Sequence, residues 1–248
     1  MTRIITLISA KRGVGKSMLT ANLAVLLAEK NQRVAILDAN AAWPNLHHFF
    51  DLIVDESYAF NDYVNGKCKL VEVCSTVTDR LPSVLAGKLD LFRVGAAQSN
   101  PGAWVDARWA EKIYEMNKRH HYDFLLIDTQ AGYARQEALL LASMSSEVCI
   151  ILRADQQDYY GTRILVATLS HLGIPDVSLI ANQILPIYDF DQVKLAYQSA
   201  FNVDVQVVLP MSEDVLGLGS SGLFVALHPN HDFTKRMQLW AAGRNFIA

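Results

Sequence analysis

Between Arg3 and Ser9 the chain reads RIITLIS, a short apolar run rich in β-branched side chains, and from Ser17 to Lys30 the leucines Leu19, Leu23, Leu26 and Leu27 recur at helical spacing. The first pattern predicts a strand and the second a helix. Arg33 to Leu37 (RVAIL) supplies a second strand, which a right-handed crossover places parallel to the first. Near-continuous apolar runs over Leu89 to Val94, Phe124 to Ile127, Val148 to Leu152, Val177 to Ile180 and Val205 to Leu209 predict strands covered on both faces. Helical periodicity predicts helices over Trp104 to Lys118, Arg135 to Ala142, Thr162 to Leu172, Asp191 to Phe201 and Phe233 to Ile247. The alternation implies an α/β fold: a doubly wound, mostly parallel sheet with helices on both faces. Ala41 to Gly87 is the loosest stretch, where Pro and Gly punctuate short pieces and no strong strand is expected. No repeat or linker divides the 248 residues, 51% of them hydrophobic, so one domain over 1–248 is expected.

Charge and cysteine content narrow the function. Twenty-two Lys and Arg against 25 Asp and Glu leave a net charge of -3, so no global basic field draws the chain to nucleic acid or anionic lipid. Cys68, Cys74 and Cys149 are too few and too irregular for a disulfide framework or a zinc site. The pairs His47–His48 and His120–His121 are adjacent, whereas two ligands on one helix face need a spacing of about three or four residues. No apolar run reaches the ~18 to 20 residues that span a bilayer, and the chain opens into a strand rather than a signal peptide. A cytoplasmic address is the expectation.

The segment Ala10-Lys11-Arg12-Gly13-Val14-Gly15-Lys16-Ser17 falls between the first strand and the first helix. A phosphate-binding loop must lie there to aim backbone N–H groups and a helix N-terminus at an anion. Gly13 and Gly15 let the backbone curl, Lys16 suits the β- and γ-phosphates of ATP, and the Ser17 hydroxyl suits Mg2+. The strict pattern G-x-x-x-x-G-K-[ST] has glycine where this chain has Ala10. Two strands end in acids, Leu37-Asp38-Ala39-Asn40 and Ile127-Asp128-Thr129-Gln130, and ligands gather at the carboxyl edge of a parallel sheet.

On these residues the chain resembles the ParA/MinD ATPases, in their MinD/FlhG-like branch, whose deviant Walker A loop reads x-K-G-G-V-G-K-[ST]. That resemblance implies a P-loop NTPase fold of the SIMIBI type with ATP or ADP and Mg2+ as ligands. It implies that Lys11 is the signature lysine, reaching nucleotide across an ATP-sandwiched homodimer, although Arg12 stands in place of the first family glycine. By the same resemblance Arg12, Gly13, Val14, Gly15, Lys16, Ser17 and Met18 cradle nucleotide. Ser17, Asp38 and Asp128 serve the metal, and Lys11, Lys16, Asp38 and Asn40 the reaction. Gly132 would sense the γ-phosphate, while Asn182, Pro210 and Met211 would border adenine. Further stretches match: Tyr63 to Leu70 resembles a short helix and turn of the family, and Val208-Leu209-Pro210 followed by Ser220-Ser221-Gly222 resembles two later stations.

Two departures bear on activity. Asn40 replaces the aspartate that orients the attacking water, and an amide cannot take a proton; Gln130 stands where proline is common. Two expectations follow. One is a dimerising switch that positions a cargo or partner protein, with slow hydrolysis resetting it and with membrane or nucleoid DNA association left open. The other is an ATP-binding scaffold with vestigial hydrolysis. An ATP-dependent small-molecule ligase shares the fold as a third class.

Overall fold

The computed structural model describes residues 2–53, 57–81, 86–95, 105–133, 135–174 and 176–243. Eight strands form one sheet: β1 (Arg3–Ile8), β2 (Arg33–Ala39), β3 (Cys74–Thr76), β4 (Lys88–Arg93), β5 (Phe124–Thr129), β6 (Glu147–Leu152), β7 (Val177–Ile184) and β8 (Asp204–Pro210). Their order is β3-β4-β2-β5-β1-β6-β7-β8, with every pairing parallel except β3 to β4. From β1 the chain winds to one side through β2, and it later winds to the other through β6, β7 and β8. The loop after β1 therefore occupies the point where the winding reverses, where α/β sheets open a crevice.

The helices are α1 (Lys16–Glu29), α2 (Leu46–Phe49), α3 (Phe60–Val64), α4 (Ala107–His120), α5 (Gln136–Ser143), α6 (Gln156–His171), α7 (Phe190–Phe201), α8 (Glu213–Leu218), α9 (Phe224–Leu227) and α10 (Asp232–Ala242). Strand side chains alternate between the faces, as a period of two requires. Ile5 and Leu7, Val34 and Ile36, and Phe124 and Leu126 pack in one cluster with α1, α9 and α10. Ala35 and Leu37, with Leu125 and Ile127, pack oppositely with Trp109 and Ile113 of α4. A third cluster joins β6 and β7 to Leu165 and Leu169 of α6. Helix α1 is buried almost all round, against β2, β5, α2, α9 and α10. Fully burying each of Leu19, Leu23 and Leu27 contributes about 1.5–3 kcal/mol, so a charge at Leu23 would unseat the helix.

The predicted strands are present, and two differences have physical causes. β3 lies in the stretch expected to hold no strong strand: Cys74-Ser75-Thr76 is too short and polar to announce itself, and pairing with β4 defines it. Helix α6 begins at Gln156, six residues before the predicted Thr162, because Asp155 caps it by accepting the Asp158 N–H and Gly161 lies within it. α10 ends at Ala242; positions 244–247 of the predicted helix lie outside the described residues, as does Trp104. The short helix expected within Tyr63 to Leu70 is α3, which starts at Phe60.

Candidate nucleotide site

Residues 9–15 join β1 to α1, and the backbone turns back on itself at Gly13 (φ 77°) and Gly15 (φ 86°), left-handed conformations that disfavour a side chain. Gly15 is the N-cap of α1, no side chain caps that helix, and its first turn holds no acid. Elsewhere Asp106, Asp155, Asp189 and Ser212 cap α4, α6, α7 and α8. The helix that opens onto the loop thus keeps its first amides for an incoming anion.

The loop is braced from β7. Asn182 Nδ2 donates to the Val14 carbonyl at 2.8 Å, and Gln183 Nε2 donates to the Gly13 carbonyl at 3.3 Å. A Cβ on Gly15 would stand 2.5 Å from Asn182 Nδ2, whereas a Cβ on Gly13 would meet nothing within 4 Å. Gly15 therefore permits a close approach and Gly13 borders open space. That space is a cavity of about 370 Å³, lined by Lys11 to Met18, by Ser9, Ala131 and Gly219, and by Asn40, Trp43, Asn45 and Phe49.

Beneath it lie two carboxylates on adjacent strands. β2 and β5 pair with Asp38 directly opposite Asp128. Lys16 Nζ donates to Asp128 Oδ1 at 2.6 Å and to the Thr129 carbonyl, and Ser17 Oγ donates to Asp128 Oδ2 at 2.6 Å. The lysine side chain is only 7% exposed, so this is a buried ion pair completed by further hydrogen bonds. Asp38 instead accepts backbone N–H bonds from Asn40, Asn45 and Leu46 at 2.9 to 3.2 Å, tying down the loop after β2. Burial, and then the neighbouring Asp128 charge, push its carboxyl up to about 7, against the pull of those amides and of Lys16.

The residues fit a magnesium nucleotide. A hydroxyl and a carboxylate held 2.6 Å apart are hard oxygen donors suited to Mg2+, and the uncapped helix and open loop suit phosphate.

The residues expected from sequence divide into groups. Lys11, Arg12, Gly13, Val14, Gly15, Lys16, Ser17, Met18 and Asn40 all line the cavity, while Asp38, Asp128 and Asn182, each at most 1% exposed, stand behind it. Asn182 spends its amide N–H on the loop. Gly132 donates its N–H to the Ser9 carbonyl at 2.9 Å. Lys11 lies 3.6 Å from Asp155, which also pairs with Arg153 at 2.9 Å. Pro210 and Met211 line a different cavity of about 570 Å³ with Tyr188, Phe190 and Arg236. Trp43, Phe49 and Asp155 belong to the site's surroundings and were not expected. Asp155 carried a legible signal, an acid three residues before Asp158 at a helix start; Trp43, 68% exposed, carried none beyond its place after Asn40.

Comparison with known proteins supports the same reading. A family model described as ParA: NUBPL iron-transfer P-loop NTPase matches residues 1–82. A putative septum site-determining protein MinD from Emiliania huxleyi is 31% identical over 198 residues, covering 75% of this chain and 65% of that protein. The septum site-determining protein MinD of Thermotoga maritima is 24% identical over 247 residues, covering 96% of this chain and 86% of that one. The structure is similar to that of MinD complexed with Mg-ADP from Pyrococcus horikoshii OT3, with a TM-score of 0.75 at 23% identity, across 97% of this chain and 95% of that one. No helix among the described residues is long and apolar enough to cross a membrane. With the phosphate loop at the reversal point of the sheet, a lysine and a serine gathered on one strand-end carboxylate, and relatives aligned along nearly its whole length, this chain belongs to the ParA/MinD family of P-loop NTPases.

Proposed function

We propose that the chain is an ATP-dependent dimerising switch that positions a partner protein or cargo, with slow magnesium-dependent hydrolysis resetting it. The observation that carries this reading is the convergence of Lys16 and Ser17 on Asp128 below an uncapped helix N-terminus. Gly13 to Ser17 present backbone N–H groups to the phosphates, and Lys16 exchanges Asp128 and the Thr129 carbonyl for phosphate oxygens. Ser17 and Asp128, with Asp38 behind them, would hold Mg2+, which would supply neutralisation of the charge on the phosphoryl group. Lys11 lies at the cavity wall with 38% of its side chain exposed, where a second copy closing on the nucleotide would receive it. Such a cation makes association depend on the charge of the bound nucleotide. Asn40 hydrogen-bonds the attacking water without accepting its proton, which keeps hydrolysis slow. Asn182, Pro210 and Met211 serve the adenine end, and Gly132 reports the γ-phosphate by exchanging its bond to Ser9.

Size-exclusion chromatography with light scattering tests the switch. The mass should double in Mg-ATP relative to Mg-ADP, and Lys11→Ala should abolish the doubling while retaining calorimetric binding of Mg-ADP. A mass indifferent to nucleotide would remove the switch, and absent heat with both nucleotides would remove nucleotide binding itself.

One observation favours the scaffold alternative: among the described residues, no acidic side chain lines the cavity, and Asn40 stands there instead. Turnover that stays absent in the presence of partner proteins recovered with the ATP-bound form would favour a scaffold in which ATP is chiefly a dimerising ligand.

A further inference from the structure

Helix α6 approaches the phosphate loop at one point with no room to spare. Gly161 is buried within that helix, and a Cβ built on it would lie 2.4 Å from the Ala10 Cβ and 3.8 Å from its Cα. Carbon atoms in good contact stand about 3.5–4.0 Å apart, so a methyl group at 161 cannot coexist with the one at 10 unless backbone moves. Neither group has a rotamer to change. Glycine inside a helix is unfavourable relative to alanine, so its presence here answers a specific packing need.

We infer that Gly161 is a positioning residue for the phosphate loop: its missing side chain receives the Ala10 methyl and so sets where the loop begins. Ala10 is where this chain departs from the strict loop pattern, which has glycine at that position. A side chain gained at 10 is thereby matched by one absent at 161, residues that only the tertiary fold brings together. The same helix holds the next loop residue, since Asp155 at its N-cap pairs with Lys11 at 3.6 Å. The loop is fixed elsewhere too, at Val14 by Asn182 and at Ser9 by the Gly132 N–H. Pressure from α6 therefore deforms the cradle rather than moving the loop as a unit.

The inference rests on nucleotide binding by the loop, and four proteins separate the two ideas: native, Gly161→Ala, Ala10→Gly and the double variant, each titrated calorimetrically with Mg-ADP and melted without nucleotide. Gly161→Ala should weaken Mg-ADP binding by about tenfold or more, the effect of overpacking beside a site. The double variant should bind within about threefold of Ala10→Gly and melt no lower than it, because alanine is the better helix former. Native protein that binds no Mg-ADP would overturn the nucleotide reading and this inference with it. Native binding with Gly161→Ala equally tight, or a double variant as weak as Gly161→Ala, would overturn the pairing alone. If Gly161→Ala does not fold, the double variant decides: folding and binding support the pairing, and failure to fold overturns it.

Discussion

The carboxyl ends of β2 and β5 carry the same residue at the same level, Asp38 opposite Asp128, and both are almost wholly buried. Their neighbourhoods differ. Asp128 meets an ammonium and a hydroxyl, so the end of β5 is a charged junction between the sheet and the phosphate loop. Asp38 meets three backbone amides, so the end of β2 is an anchor for the loop that carries Asn40 and Trp43. Two identical carboxylates thus acquire different tasks from what surrounds them. Charge compensates charge directly at β5, whereas backbone dipoles are the hydrogen-bond partners at β2, and burial pushes the Asp38 carboxyl up to about 7.

The largest expected effect comes from removing the charged junction. Asp128→Ala leaves the Lys16 ammonium buried without its partner and should lower stability by about 3–5 kcal/mol in urea denaturation, with loss of Mg-ADP heat. A loss under about 1 kcal/mol would show that Lys16 finds water instead.

Titration probes the other carboxylate. The Asp38 carboxyl sits near 7 when folded and near 3.8 as its ordinary value, so between these the unfolded chain ionises first. Stability should therefore fall as pH rises from about 4 to about 7 in magnesium-free buffer, by an amount on the order of 3 kcal/mol, and Asp38→Asn should flatten that slope. An unchanged slope in the variant would show that the three amides suffice to keep Asp38 ionised.

Making the end of β2 more like the end of β5 should affect chemistry more than folding. Asn40→Asp adds a proton acceptor at the cavity wall and should raise the single-turnover hydrolysis rate at least about tenfold. A native rate equal to or above the variant's would show that positioning of water is all that position 40 supplies. The smallest effect is expected at Trp43. Because it is exposed, Trp43→Ala should change stability by no more than about 0.5 kcal/mol. Yet Mg-nucleotide should shift the native tryptophan emission, and most of that shift should be lost in the variant, since Trp43 is the one tryptophan among the described residues that lines the cavity.

Much of the sheet was legible because helices cover both its faces, which leaves unbroken apolar runs such as Phe124 to Ile127. The loop was legible because strand, glycines, Lys16-Ser17 and helix follow one another within a few residues. Short or interrupted elements were not. β3 exists only through its partner, and the first turn of α6 was hidden by Gln156, Gln157 and the interior Gly161. Pro210 and Met211 reached the expected edge of the sheet but line a separate cavity from the loop.

By itself the sequence determined the alternating strands and helices, the phosphate loop and the two acidic strand ends, because each depends on neighbours close along the chain. Only the tertiary structure decided that Asp38 and Asp128, 90 residues apart, stand side by side with unlike partners, and that Asn182 braces the loop. It alone set Ala10 against Gly161. Such relations depend on strand register and on distances of closest approach, which arise when separate elements share one core.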